Sequence, residues 1–268
     1  MANAPYTNFF LSNEVEDQFN SHLDLQQFVT VDRSLVGEAG MVRKINVYRA
    51  TNGTEKLALG KGNTKSIEVS HQTEDYAIQL AQNRFQYFDE EAMADPMIVP
   101  VGMRHAGTDL FNTMNADIFA EFNKTEIVHS ASALNFDAFV DAAALLNVEN
   151  LEGLQVFGFV NAADMGALRK GLKDDLKYVE AFARQGYVGT VAGINIYTKK
   201  DAVTGTVIIG TRDAVTLFVK TGTEIEQIMP GQRSETAANI RQNTIFSRKY
   251  YLAALTDETK AVKITVGG

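Results

Sequence analysis

Four histidines, His22, His71, His105 and His129, are the side chains here best suited to moving protons or holding a metal, and they are scattered along 268 residues. No pair has the His-Glu-x-x-His spacing that turns two imidazoles toward one ion from a single helical face. A lone His105 in a helical stretch reads as a surface or interface residue. The acidic runs Asp89-Glu90-Glu91 and Asp174-Asp175 could supply oxygen ligands to a divalent ion if others joined them in space. More simply, such runs are solvated, and acids next to a helix start favour its dipole. Gly60-Lys61-Gly62-Asn63-Thr64-Lys65-Ser66 has the composition of a phosphate loop. It lacks the Gly-x-x-x-x-Gly-Lys-Ser/Thr spacing and the helix that should follow. There is no Gly-x-Ser-x-Gly elbow for a serine hydrolase. With no cysteine, thiolate nucleophiles, thiolate metal sites and disulfides are excluded. The expectation is therefore no catalytic residue, no metal, no cofactor and no enzyme.

The elements that would otherwise position such chemistry point to assembly. A hydrophobic content of 45% and a charged content of 22% are those of a soluble globular chain. Its length suits one large domain or two ordinary ones. No run of 18 apolar residues exists to span a membrane. The opening Met1-Ala-Asn-Ala-Pro-Tyr6 lacks the basic and apolar regions of a signal peptide.

Charge is unevenly spread around the net −8. Residues 42–70 carry Arg43, Lys44, Arg49, Lys56, Lys61 and Lys65 against Glu55 and Glu68, a local +4. Residues 1–40 carry six acids against Arg33, a local −5, and Asp89-Glu90-Glu91 adds a second acidic stretch. A basic arm on an acidic body suits docking between subunits, with charge fixing register more than affinity. Arg49, Lys56, Lys61 and Lys65 on one side, and Asp89, Glu90 and Glu91 on the other, are the candidate interface residues. The plainer alternative is a solvated hairpin with scattered lysines. The acidic balance disfavours tight nucleic-acid binding. Arg169, Lys170, Lys173 and Lys177 form a second basic stripe on one helix, facing nucleic acid, an acidic neighbour, or only solvent.

Residues 1–10 read as an arm, and Leu11 to Leu25 as a short helix. From Ile45 the pattern alternates (Ile45, Val47, then Leu57, Leu59, then Ile67, Val69), broken at Asn52-Gly53 and Gly60–Asn63. It predicts an extended hairpin within about Met41 to Phe88. Such an arm has too little apolar residue to bury on itself. A long helix from about Asp95 to Lys124 follows, with the stripe Val99, Met103, Leu110, Met114, Ile118 and Phe122, flanked by Phe111 and Phe119. Arg104, Asp109, Asn112, Asn115 and Glu121 lie off that stripe, and Pro100 kinks the opening turn or delays the start. Beyond it the pattern predicts helices over Phe136–Leu146 and Ala163–Tyr178 and a buried strand over Gln155–Val160. Thr190–Thr198 and Val203–Gly210 read as a hairpin through Lys199-Lys200-Asp201. Strands follow at Ala214–Lys220, Glu224–Ile228, Asn243–Leu255 and Ala261–Val266, with a polar loop over Met229–Ala238.

This order of elements resembles the major capsid proteins of tailed bacteriophages with the Hong Kong 97-type fold. So do the stretches Met1-Ala-Asn-Ala-Pro-Tyr-Thr-Asn-Phe-Phe10, Lys56-Leu-Ala-Leu-Gly-Lys-Gly-Asn63 and Arg241-Gln-Asn-Thr-Ile-Phe-Ser-Arg-Lys-Tyr-Tyr251. The resemblance covers nearly the whole chain. It implies an α+β fold with an N-terminal arm (1–41), an extended β-hairpin loop (42–82), a peripheral domain with a spine helix (83–132), a mixed α/β axial domain (133–212) and returning peripheral strands (213–268). It implies a structural protein of the virion, made in the host bacterial cytoplasm, that self-assembles as pentamers and hexamers into an icosahedral shell around phage DNA. The partners implied are a portal protein, a scaffold protein where no scaffolding segment is built in, and DNA held by non-specific contact, with no membrane. The covalent Lys–Asn crosslink of the type member would need a placed partner among Lys61, Lys65 and Asn243. An encapsulin-like cargo compartment shares the fold, and an α/β enzyme with an unrecognised site and a phage tail or decoration protein are the remaining alternatives.

Overall fold

The computed structural model describes residues 24–37, 42–50, 53–146, 155–172, 189–200, 202–233 and 235–267. The helix expected over Leu11–Leu25 lies almost wholly outside them, as does the part of the Ala163–Tyr178 helix beyond Leu172. The described chain opens with a 3-10 turn, Leu25–Phe28, capped by the Asp24 side chain, and a short strand β1 (Thr30–Asp32).

β2 (Val42–Ala50) and β3 (Val69–Ala77) pair antiparallel as the expected hairpin. The ladder is shorter than the alternation suggested, because residues 53–68, Leu57 and Leu59 included, form no strand. After Ile78 the chain changes sheets. β4 (Gln79–Phe88) pairs instead with β12 (Gln242–Leu255). A short helix α1 (Asp89–Ala94) then precedes α2 (Ile98–Asn123), so the long helix starts three residues later than Asp95. Asp95 caps this entry, its Oδ1 accepting the Met97 N–H at 2.9 Å. Pro100 falls in the first turn, where N–H groups have no intrahelical partner to lose. At 1.5 Å per residue, 26 residues span about 39 Å.

β12 is the backbone of a five-stranded sheet. β10 (Val215–Val219) and β11 (Glu224–Ile228) follow one another along one side of it. β4 takes the other side, since Tyr251 pairs with Val219 and with Gln79 at once. β1 adds parallel to β10. The second sheet has six strands: β5 (Val128–Ala131), β6 (Val156–Val160), β7 (Thr190–Val191), β8 (Ile194–Thr198), β9 (Thr206–Thr211) and β13 (Ala261–Val266). Their spatial order is β5-β13-β9-β6-β8-β7. Helices α3 (Phe136–Leu145) and α4 (Ala162–Gly171) are capped by Asn135 and Asn161, whose side chains accept the Ala138 and Ala163 N–H groups.

That order corrects two expectations. Thr190–Thr198 is not one strand, because Ala192 (φ 50°) and Gly193 (φ 79°) turn it into a small hairpin of its own. Nor does it pair with β9, because β6 lies between them, parallel to β8 and antiparallel to β9. All five residues of β6 are buried, and a strand covered on both faces is best served by neighbours on both edges. The polar stretch Met229–Ala238 is not all loop either. It holds two helical turns, Pro230–Arg233 and Glu235–Asn239.

Three apolar clusters hold these layers together. The first half of α2 (Val99, Met103, Leu110, Phe111) packs on Tyr87, Ile225 and Ile245 of the five-stranded sheet. Its second half (Met114, Ile118, Phe119, Phe122) meets Phe157 and Phe159 of β6, with Phe28 and Leu217 closing the cluster. α3 and α4 cover the other face of the six-stranded sheet through Phe139, Met165, Leu168, Ile194 and Ile209. The expected stripe is thus wholly buried, and α2 is the shared brace of both sheets. Asn115, expected off the stripe, is buried as well, and its Oδ1 accepts the Leu25 N–H at 3.1 Å. It ties the N-terminal turn to the brace.

Candidate assembly surfaces

The hairpin carries the basic candidates. Its nine-residue strands reach about 30 Å. Beyond them the Glu55 carboxylate accepts the Thr64 N–H at 2.8 Å and the Thr64 hydroxyl at 2.7 Å, which closes residues 55–64 into a ring. The Thr64 amide, ahead of the hydroxyl, holds the Glu55 carboxyl below its ordinary pKa. Within the ring the Lys61 N–H donates to the Ala58 carbonyl at 3.0 Å, through Gly60 at φ +79°. Lys56, Lys61 and Lys65 all stand exposed. So do Leu57, Ile67 and Val69, and Leu59 has a relative exposure of 106%. Arg49 lies in β2, in register with Ser70. The tip thus presents exposed apolar side chains together with exposed lysines.

The acidic candidates have a different first role. Asp89, Glu90 and Glu91 form the opening turn of α1, where carboxylates favour the helix dipole. Glu91 accepts the Phe88 N–H at 3.0 Å. Asp89 accepts from the Asn243 side chain at 2.6 Å, and its N–H donates to the Arg241 carbonyl at 3.2 Å. Glu90 lies 3.8 Å from Arg241, both largely exposed. Burial, and then the Asp89 charge, raise the pKa of Tyr87 nearby. Among the described residues the three lysines and the three acids are not brought together within one chain. Asn243 is 4% exposed and committed to Asp89, which leaves its amide poorly placed to meet an outside lysine.

At the base of the hairpin a groove of about 300 Å³ runs between α2 and the β4–β12 pair. Gln79, Leu80, Asp117, Glu121, Tyr251 and Ala253 help line it. The Tyr251 hydroxyl donates to Asp117 at 2.8 Å, and burial with this carboxylate pushes its pKa well above the usual tyrosine value. Glu121 accepts the Leu255 N–H at 3.2 Å and pairs with Lys124 at 2.6 Å.

Among the described residues no group of three or more histidine, cysteine, aspartate or glutamate side chains could hold a metal ion. No described helix is long and apolar enough to cross a membrane. His105 is exposed on α2, and His129 lies 4.0 Å from Asp141. The sequence reading placed Leu57 and Leu59 in a strand, whereas the structure leaves both exposed in a strandless tip. The alternation that placed Leu57 and Leu59 in a hairpin strand is the same signal that an unpaired apolar tip produces.

No known family profile matches the chain. Over 263 residues it is 24% identical to the major capsid protein of Staphylococcus phage phiMR11, covering 96% of this chain and 92% of that one. In three dimensions it is similar to the mature capsid of bacteriophage PhiM1, with a TM-score of 0.67 and 10% identity, covering 91% and 87% of the two chains. It is also similar to a virus-like particle from Pyrococcus furiosus, with a TM-score of 0.63 and 14% identity, covering 97% and 100%. The arm-side hairpin, the bracing helix and the two sheets together make this the Hong Kong 97-type capsid fold.

Proposed function

We propose that the protein is the major capsid protein of a tailed bacteriophage, a structural subunit that self-assembles into the icosahedral shell enclosing phage DNA. The observation that carries this reading is likeness along nearly the full length, in sequence to a phage major capsid protein and in fold to shell proteins. Residues 1–41 act as the N-terminal arm and 42–82 as the extended loop. Residues 83–132 and 213–268 build the peripheral domain, and 133–212 the axial domain. The loop crosses to a neighbouring subunit, where Arg49, Lys56, Lys61 and Lys65 meet acidic surface including Asp89, Glu90 and Glu91. Each contact can be weak, because a closed shell repeats it over many symmetric copies. The chain works in the virion after synthesis in the host cytoplasm, with a portal, a scaffold and packaged DNA as partners, and it catalyses nothing.

A second reading, an encapsulin-like cargo compartment, is favoured by one observation, the end-to-end likeness to the Pyrococcus furiosus particle. Negative-stain electron microscopy with size-exclusion chromatography tests both. Shells, pentamers or hexamers of the purified protein support a shell subunit. Shells that fill with DNA when a portal and packaging motor are supplied support the viral reading. Uniform portal-free shells that retain a co-expressed protein favour the compartment. A chain that stays monomeric with and without scaffold protein overturns both.

A further inference from the structure

The face of β12 that α2 covers is not apolar throughout. Alternation along the strand puts Ile245, Ser247, Lys249 and Tyr251 on it in turn. Ile245 belongs to the cluster around Met103 and Leu110, and Tyr251 to the one around Met114 and Ile118. Ser247 and Lys249 lie between them, 1% and 6% exposed, so a buried polar band separates two dry clusters under one helix. The band continues onto β4, where Asn83 stands in register with Ser247. Asn83 is fixed against α2. Its Nδ2 donates to the Ala106 carbonyl at 2.7 Å and lies 3.5 Å from Asp109 Oδ2. A carbonyl and a carboxylate only accept, so turning the amide over would set oxygen against oxygen. Oδ1 is therefore held on the far side of the amide, where it is buried with no hydrogen-bond partner in the protein. Ser247 Oγ is buried and without a partner as well.

Two orphaned oxygens on a directly opposed pair each carry a desolvation cost that nothing in the chain offsets. Opposed side chains on a sheet start from Cβ atoms about 4.5–5.5 Å apart, and a water with two hydrogen bonds of about 2.8 Å links oxygens about 4.5 Å apart. The next position on this face of β4 and the helix residue above it, Ala81 and Ala106, carry only methyl groups. The chemistry of a ligand here is narrow. Asn83 Oδ1 only accepts, which excludes an anion. Two neutral oxygens fall far short of the six or so that Mg2+ or Ca2+ takes, and Lys249 on the same face opposes any cation. What remains is a small neutral group that donates to the amide oxygen and accepts from the hydroxyl. We propose that Asn83 Oδ1 and Ser247 Oγ bind one ordered water, which completes the seam between α2 and the β4–β12 pair. Two protein partners lie within the two to four that buried waters have. The inference goes beyond the shell-subunit reading and does not rest on it.

The test is an experimental structure of the full-length chain, by crystallography or electron cryo-microscopy, at a resolution that shows ordered water. The wild-type map alone decides the site, and Ser247→Ala tests its anchor. The wild type should show a density peak within about 3 Å of both Asn83 Oδ1 and Ser247 Oγ. In Ser247→Ala the peak should lose most of its occupancy while the Asn83 bond to Ala106 stays in place. Four outcomes overturn the proposal. One is a seam with no peak. Another is a direct hydrogen bond between Ser247 Oγ and Asn83 Oδ1, reached by rotation of either side chain. The third is a peak with five or more short oxygen contacts, which would be a cation. The last is a peak at full occupancy in Ser247→Ala, which would remove the hydroxyl from the site. None of these outcomes bears on whether the chain forms shells, so the two readings stand or fall separately.

Discussion

The Asn243 side-chain amide donates to Asp89 Oδ1 at 2.6 Å, joining β12 to the first residue of α1 across 154 positions of sequence. The bond sits where the chain leaves β4 and turns toward the bracing helix. Asn243 is nearly fully buried, so its removal takes a donor from the partly buried Asp89 carboxylate beside Tyr87. Asn243→Ala should cost about 1–3 kcal/mol. Urea unfolding of the unassembled chain checks this, and an unchanged midpoint would mean that water fills the place of the amide.

At Gly102 α2 comes close to Phe85 of β4. A Cβ at this position would run into the Phe85 ring. Phe85 is itself stacked on Tyr87 at a centroid distance of 5.7 Å, so its ring has limited room to retreat. Gly102→Ala gains helix propensity but overpacks this seam, for a net destabilisation of about 1–3 kcal/mol. The same urea measurement decides it. A stabilised variant would show that Phe85 can rotate out of the way.

How much of this was legible in the sequence follows from the range of each interaction. The α2 stripe was readable because a 3.6-residue period imprints burial locally, and every residue of it is buried. The caps Asn135 and Asn161 carry a local signal of the same kind, an asparagine just ahead of a helical run. Strand order was not. Nothing near Lys199-Lys200-Asp201 states that β6 will come between β8 and β9, because that depends on which strand must be covered on both faces. Asn115 looked like surface by residue type, and only the distant Leu25 N–H makes it an inward-facing acceptor. The acidic run could be read as a helix start or as an interface. Its hydrogen bonds use Asp89 and Glu91, while Glu90 is held only by an exposed pairing with Arg241.

The ring closed by Glu55 makes the loop tip sensitive to acid. Its carboxyl is held below its ordinary 4.5, mainly by the Thr64 N–H. A depressed folded-state pKa stabilises the closed ring in full above the ordinary value, and that contribution is lost as pH falls through the folded one. Hydrogen exchange at the Thr64 amide, corrected for the intrinsic pH dependence, should therefore show protection that persists above pH 4.5 and declines below it. In Glu55→Gln the protection should be weaker and should show no such step. A wild-type profile without a step would place the closure of residues 55–64 elsewhere.

The lysines at the tip test the docking reading without touching the core. Lys56, Lys61 and Lys65 are exposed and contribute nothing to the three apolar clusters, so reversing two of them leaves the fold its packing. Under the proposed docking of the tip on the acidic surface of a neighbour, the same reversal would place like charges together at every copy of the contact, and a small penalty per contact would accumulate over the closed particle. Lys61→Glu with Lys65→Glu should give a chain with wild-type circular dichroism and unfolding midpoint but greatly reduced shell yield by negative-stain microscopy. Raised ionic strength should restore part of the yield, since exposed charges more than about 10 Å apart are screened at 0.1 M salt. Leu59→Asp should impair assembly too, but without rescue by salt, because the loss there is apolar burial. Wild-type shell yield from the double lysine variant would remove charge from the docking mechanism and leave the leucine tip as its basis.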